Sequence, residues 1–409
     1  MCSSDLANTT SHWWDGSEVY GNTREKAATI RDGAKLRLEG GHLPVDIDGR
    51  EATGFSQSWW LGLSMMHTLF AREHNAVCDA LRSSYGSWID ERIYQTARLI
   101  VSALIAKIHT VEWTPAILAI EAIDAGLHAN WYGAPSDWLT RLGVWLIDVH
   151  ALKGIPQTTP DHHGAPYSLT EDFVTVYRLH PLLPDEYRLY NHENGEVLAT
   201  HAFGEISGKA TDEIMRRRRL ENVLYSLGIA HPGAIALHNY PRSLQEFERE
   251  NGERVDLSVV DLVRERQRGI PRYNAFREAL HKPRVQRWED LTENPESVRR
   301  LKDVYRDIDQ VDTMVGLLAE TPPQGFGFSD TAFRIFILMA TRRLQSDRFL
   351  TVDFRPEVYS PLGIDWVNSN SMTSVILRHC PELAAFLPRS KSAFAPWRAR
   401  EPRREGAML

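Results

Sequence analysis

Apolar residues recur along this chain at helical spacing far more often than they alternate. From Trp59 onward, Leu63, Met66, Phe70, His74, Val77 and Leu81 keep i, i+4, i+7 spacing over about six turns, which predicts one long amphipathic helix. A second long helix is predicted from Asp90 to about Trp113, with Ile93, Ala97, Ile100, Leu104 and Ile108 on its stripe. Pro115 should end it and push Thr114 out of the helical region. A third, short helix opens on the capping box Ser168-Leu-Thr-Glu171 and runs to Pro181. It turns Phe173, Tyr177 and His180 inward at i, i+4 and i+7. Further helices are expected around 211–227, 256–267, 272–280, 296–306 and 330–347. Strand-like alternation is scarce, with Glu186–Thr200 the best candidate for a hairpin around Asn194-Gly195. No internal repeat or low-complexity linker divides the chain. The pattern predicts one mainly α domain with long loops and little β structure.

At 409 residues the chain can bury a large core, and 43% hydrophobic with 25% charged residues is a globular composition. A formal charge of −7 gives no electrostatic footprint for nucleic acid. The three cysteines, Cys2, Cys78 and Cys380, are too far apart in sequence to suggest a disulfide framework or a metal cluster. The first residues show no basic segment followed by an apolar one, and no apolar run approaches the ~20 residues that span a bilayer. A cytoplasmic protein is expected, with peripheral membrane attachment as the alternative. The stretch from Lys391 to Arg404 is basic and proline-containing, so the domain is expected over 1–397 and a disordered basic tail over 398–409.

Several clusters carry candidate chemistry. Tyr177 and His180, three residues apart, would lie about 60° apart on one helical face, so a phenol and an imidazole can look into the same cavity. Ser11, Trp13, Asp15 and Ser17 crowd hydroxyl, carbonyl and carboxylate oxygens into one turn, as a hard cation such as calcium requires; an ordinary Asx turn uses the same residues. His109 and Thr114 straddle a helix end, and Arg343 shares a stripe with Phe336 and Ala340. Arginine, histidine and hydroxyl converging on an apolar tunnel would hold a carboxylate by charge-assisted hydrogen bonds. His67 and His74 have helical spacing but lack the His-Glu-x-x-His order of a zinc hydrolase, and His74 falls on the apolar stripe as a core histidine. Arg216–Arg219 wraps around a helix instead of forming one basic face, and Asp161-His162-His163 reads as loop.

Taken in order, a series of segments resembles the haem peroxidase–cyclooxygenase superfamily, most closely its fatty-acid α-dioxygenases. They are WWDGSEVYG at 13–21, MHTLFAREHNAVCDAL at 66–81, IAKIHTVEWT at 105–114, ANWYG at 129–133 and PYSLTEDFVTVYRLHPLLPD at 166–185. RYNAFR at 272–277, RWEDL at 287–291, RRLQSDRF at 342–349 and SAFAPW at 392–397 complete the series, which covers nearly the whole chain. The resemblance implies a haem-peroxidase-like helical fold and a non-covalent haem b. His180 would be the proximal iron ligand, and Tyr177 the residue oxidised to a tyrosyl radical. That radical would take a hydrogen from the carbon next to a fatty-acid carboxylate, and dioxygen would add to give a 2-hydroperoxy acid. The resemblance also implies carboxylate binding by His109, Thr114 and Arg343, and calcium at Ser11, Trp13, Asp15 and Ser17. It places Asp261 as the hydrogen-bond partner of His180 and makes fatty acid, dioxygen and peroxide the reactants.

The family carries a long segment ahead of the WWDG loop that supplies a distal histidine and a calcium-binding aspartate, whereas here 12 residues precede Trp13. The expected domain therefore lacks the distal part. Two other readings follow from that departure: a haem peroxidase acting on small phenols, and an inactive fragment or pseudoenzyme that binds lipid without turnover.

Overall fold

The computed structural model describes residues 11–133, 154–164, 168–249, 252–389 and 392–400. Helix α1 spans Leu61–Ser84 and helix α2 spans Asp90–Ile108, packed against each other. Every residue of the predicted α2 stripe is buried. On α1 the stripe is broader than the spacing suggested: Leu61, Met65 and Leu69 are buried beside Phe70, His74, Val77 and Leu81, while Leu63 and Met66 are only half-buried. His74 is a core histidine, bonded through Nδ1 to Tyr20 and through Nε2 to the carbonyl of Ala34, each at 3.0 Å.

The elements that position the site are one hairpin and six further helices, beginning with α3 at Glu171–Val176, β1 at Glu186–Tyr190, β2 at Val197–Ala202, α4 at Leu257–Gln267 and α5 at Thr313–Ala319. Then follow α6 at Asp330–Ser346, α7 at Pro361–Ser369 and α8 at Met372–His379. The hairpin pairs antiparallel from Glu186 opposite Ala202 to Leu189 opposite Ala199, with a bulge before Tyr190. Gly195, at φ 79°, supplies its turn. Among the described residues the remaining sheets are two-residue ribbons, so the fold is mainly helical as the pattern predicted.

Two apolar clusters form the core. One surrounds α1, α2, α7, α8 and the hairpin, with Leu69, Val101, Leu224 and Val375 fully or nearly fully buried. The other gathers Tyr273, Phe276, Leu317 and Phe336. Helix α6 joins them, since Phe336 lies in the second and Leu344, two turns on, lies in the first. Helix α3 packs on α4, α5 and α6 at this junction.

Some local expectations change. The helix expected over 211–227 is two helices, Ala210–Arg218 and Leu220–Ile229, because Arg219 adopts φ 66° and extends its guanidinium to Glu193 and Glu221. At the C-terminus the described residues pack past the expected domain bound. Trp397 is buried against Gly228, the Arg398 N–H donates to the carbonyl of Phe386, and the Arg400 N–H donates to the Tyr225 hydroxyl at 2.7 Å. Residues 401–409 lie outside the described residues.

Candidate active site

Helix α3 is capped by Thr170, whose hydroxyl accepts from the Phe173 N–H at 3.3 Å, so the cap lies two residues inside the expected box. The helix also ends early, at Val176. Pro181 has no N–H with which to continue the ladder onto the Tyr177 carbonyl, and the Leu179 N–H takes that oxygen instead at 2.9 Å. Tyr177 and His180 are therefore placed by a turn, and the helical i, i+3 relation expected between them does not exist. His180 starts a short 3₁₀ turn, His180–Leu182. A loop folds over that turn: the Gly233 N–H bonds the Leu182 carbonyl at 3.0 Å and Asn239 Nδ2 bonds the Pro181 carbonyl at 3.3 Å.

The imidazole of His180 is held on one side only. Its Nδ1 lies 3.3 Å from Asp261 Oδ2 and 3.3 Å from the Tyr240 hydroxyl. Tyr240 in turn donates to Asp261 Oδ2 at 3.3 Å, and Arg178 Nε stands 3.2 Å from Asp261 Oδ1. Asp261 comes from α4, whose N-cap Asp256 accepts from the N–H groups of Ser258 and Val259. Burial and the neighbouring Asp261 carboxylate push the Tyr240 phenol well above its usual range. His180 Nε2 has no protein partner among the described residues, and the side chain is 27% exposed.

Tyr177 is stacked between Phe173, with ring centroids 5.0 Å apart, and Phe336 at 5.7 Å. Its hydroxyl lies 3.4 Å from His109 Nε2. The residue is 37% exposed, and burial of its phenol pushes the pKa up to about 12, with the charge of Arg343 opposing.

His109 sits where α2 changes register. The chain runs from Ile108 into a π-helical turn, His109–Trp113, and on into Thr114–Ile117. Both the N–H and the hydroxyl of Thr114 donate to the His109 carbonyl, the hydroxyl at 2.7 Å. Thr114 is therefore helical, at φ −61° and ψ −45°, contrary to the expectation from Pro115, because the proline falls in the first turn of a new helical segment where its missing N–H costs little. The His109 ring stacks on Trp113 at 4.8 Å and meets the edge of Trp14 at 5.4 Å. Burial, reinforced by the Arg343 charge, lowers His109 to about 4, leaving a neutral imidazole at physiological pH.

Arg343 places its guanidinium 5.7 Å from the Trp14 ring centroid and donates to the His12 carbonyl. The Trp14 indole N–H is buried and has no hydrogen-bond partner among the described residues. A small cavity of about 10 Å³ lies at His109, lined also by Thr114, Asn130, Phe336, Ala340 and Leu344. The structure thus brings Tyr177, His109 and Arg343 together, while the Thr114 hydroxyl braces His109 from behind.

The oxygen-rich turn closes on itself. The Trp13 N–H donates to Ser11 Oγ at 3.1 Å and the Ser17 N–H to Asp15 Oδ1 at 3.0 Å. Arg98 bonds the Asp15 carbonyl at 3.3 Å and lies 3.7 Å from Oδ2. Asp15 Oδ1 and the Asp15 carbonyl accept protein hydrogen bonds, and among the described residues no group of three or more histidine, cysteine, aspartate or glutamate side chains is arranged to hold a metal.

Tyr240, Trp14 and Arg98 escaped the sequence reading. Tyr240 lies 60 residues from His180 in a loop without periodicity, and no local signal marks it. Trp14 was within reach, since it sits beside Asp15 in a turn already singled out.

The sequence profile of the animal haem peroxidase family matches residues 3–391. The chain belongs to that family. Haem binding is what membership in the animal haem peroxidase family implies, and His180 fits the group: one ring nitrogen is anchored and the other is open. Within the family the chain is 39% identical to α-dioxygenase 1 of Arabidopsis thaliana, over 95% of this chain and 64% of that protein. It is also 39% identical to the α-dioxygenase PIOX of Pisum sativum, over 96% of this chain and 64% of that protein. The chain therefore spans less than two thirds of these relatives. The fatty acid α-dioxygenase of Oryza sativa superposes with a TM-score of 0.89 at 37% identity, over 96% of this chain and 67% of that one. A tyrosine-to-phenylalanine variant of the rice enzyme with palmitic acid gives 0.88 at 36% identity, over 95% and 67%. Peroxidase A of Dictyostelium discoideum, at 22% identity and a TM-score of 0.71, shares the fold.

Proposed function

We propose that this chain carries the proximal and substrate-binding part of a haem-dependent fatty-acid α-dioxygenase. The observation that supports this most is the contact of Tyr177 with His109 at 3.4 Å, beside Arg343 and three residues from His180. Bound haem would supply the one-electron oxidation that turns the Tyr177 phenol into a phenoxyl radical. His180 Nε2 would hold it, with Asp261 orienting the ring through Nδ1. The cation of Arg343 and the neutral His109 would hold the fatty-acid carboxylate, with Thr114 fixing His109. That places the α-carbon near the Tyr177 oxygen. The phenoxyl oxygen takes the α-hydrogen and becomes a phenol again. Dioxygen adds to the carbon radical, and the Tyr177 phenol returns its hydrogen to the resulting peroxyl radical, giving a 2-hydroperoxy acid and regenerating the phenoxyl radical. Stacking between Phe173 and Phe336 keeps the phenol ring from rotating away.

Calcium belongs to this reading on a condition. Ser11, Trp13, Asp15 and Ser17 would hold it through hydroxyl, carbonyl and carboxylate oxygens, with Arg98, 3.7 Å from Asp15 Oδ2, giving way to the ion.

The test begins with haemin titration of wild type and His180→Ala. A saturable Soret band in wild type, lost in the variant, is expected. Oxygen uptake with palmitic acid should then appear in wild type and vanish in Tyr177→Phe. Oxidation of small phenols that survives in Tyr177→Phe would instead favour a plain peroxidase, and palmitate binding without oxygen uptake would favour a lipid-binding pseudoenzyme. Melting curves with and without calcium, with Asp15→Asn as the control, decide the loop.

A further inference from the structure

We infer that Tyr240 is a positioning residue that tempers the pull of Asp261 on His180, with Arg178 acting on the same carboxylate from its other side. The inference rests on the reading above, in which His180 holds the haem iron.

Three polar atoms meet at one corner, where His180 Nδ1, Tyr240 Oη and Asp261 Oδ2 stand 3.3 Å from one another. The tyrosine O–H donates to Oδ2, which also lies 3.3 Å from His180 Nδ1, and the Tyr240 oxygen is itself within hydrogen-bond reach of that nitrogen, so the hydroxyl stands between the carboxylate and the ring. The second oxygen, Oδ1, faces Arg178 Nε at 3.2 Å. Asp261 is 7% exposed, so water competes little for either oxygen. A carboxylate occupied in this way draws less on the Nδ1 proton of the imidazole. The ring keeps less imidazolate character and is a weaker electron donor through Nε2.

Tyr240 is fixed for this task by its surroundings. Its ring packs against His180 with centroids 5.4 Å apart, and its carbonyl accepts from Gln245 Nε2 at 2.8 Å. The ion pair with Arg178 already balances the charge of Asp261, so the Tyr240 hydroxyl is not required for neutrality. Its position, shared between histidine and carboxylate, is that of a regulator of their contact.

The test uses the full chain loaded with haemin. Tyr240→Phe keeps the ring and removes the hydroxyl. Two quantities are read besides turnover: the iron–histidine stretching frequency of the reduced protein and its reduction potential. In Tyr240→Phe the frequency should rise and the potential should fall, because Asp261 then serves His180 alone. Both shifts should disappear when Tyr240→Phe is introduced into an Asp261→Asn background. No shift in the single variant, or the same shift in both backgrounds, overturns the proposal. Failure of the haem assignment itself looks different: wild type then shows no iron–histidine band, and His180→Ala keeps the wild-type Soret band.

Discussion

Gly233 lies against the carbonyl of Pro181, where an added β-carbon would stand 2.0 Å from that oxygen and 2.9 Å from Asn239 Nδ2. The backbone cannot yield without moving the loop that covers the His180 turn. Gly233→Ala should therefore cost about 1–3 kcal/mol of stability, the range for overpacking a tight site, and weaken haemin binding. Gly204→Ala is the control, since nothing lies within 4 Å of its β-carbon position. Urea midpoints of the two variants that shift equally would show that close approach at Gly233 is not what holds the loop. Single residues also mark how much of the site was legible. Tyr177, His180, His109 and Arg343 stand out because a motif surrounds each of them. Tyr240 acts on His180 from a loop 60 residues away, and chain order holds no trace of that contact.

Helix periodicity located α1, α2, α4 and α6 to within a few residues, because each buries a stripe and tertiary packing reinforces the local preference. It failed where a proline or a register change sets the geometry, at the end of α3 and in the π turn after α2. Those two failures are the places that carry Tyr177 and His109. Packing between helices relies on buried charge as well. Glu73 on α1 accepts from Trp366 Nε1 on α7 at 2.9 Å, from Arg378 on α8 at 2.5 Å and from His379 Nε2 at 2.9 Å. Glu73→Leu would leave these donors without their acceptor and should destabilise the fold by about 3–5 kcal/mol, measured by urea denaturation. A loss below about 1 kcal/mol would mean that the apolar contacts between α1 and α8 suffice.

Across the whole molecule, buried histidines tie stability to pH. His67 is buried on α1, its Nδ1 lies 2.8 Å from the Thr53 hydroxyl, and burial lowers it to about 4. The folded state keeps this ring neutral while the unfolded chain protonates it near 6.5. Its contribution is present above that value and is lost as pH falls toward 4. Relative to His67→Gln, the wild type should lose about 1.4 kcal/mol per pH unit across that window. Parallel pH profiles of the two proteins would contradict it. Among the described residues no helix is long and apolar enough to cross a membrane.

The amino-acid order by itself determined that the chain is mainly helical, which faces its long helices bury, and which family its motifs resemble. These properties are local or repeat along the chain, so periodicity and motif record them. Only the tertiary structure decided that His109 meets Tyr177, that Asp261 and Tyr240 share His180 Nδ1, and that Arg98 closes the oxygen-rich turn. Each of those contacts joins segments distant in sequence. Their distances follow from how α2, α3, α4 and α6 pack, and no window of the chain contains that information.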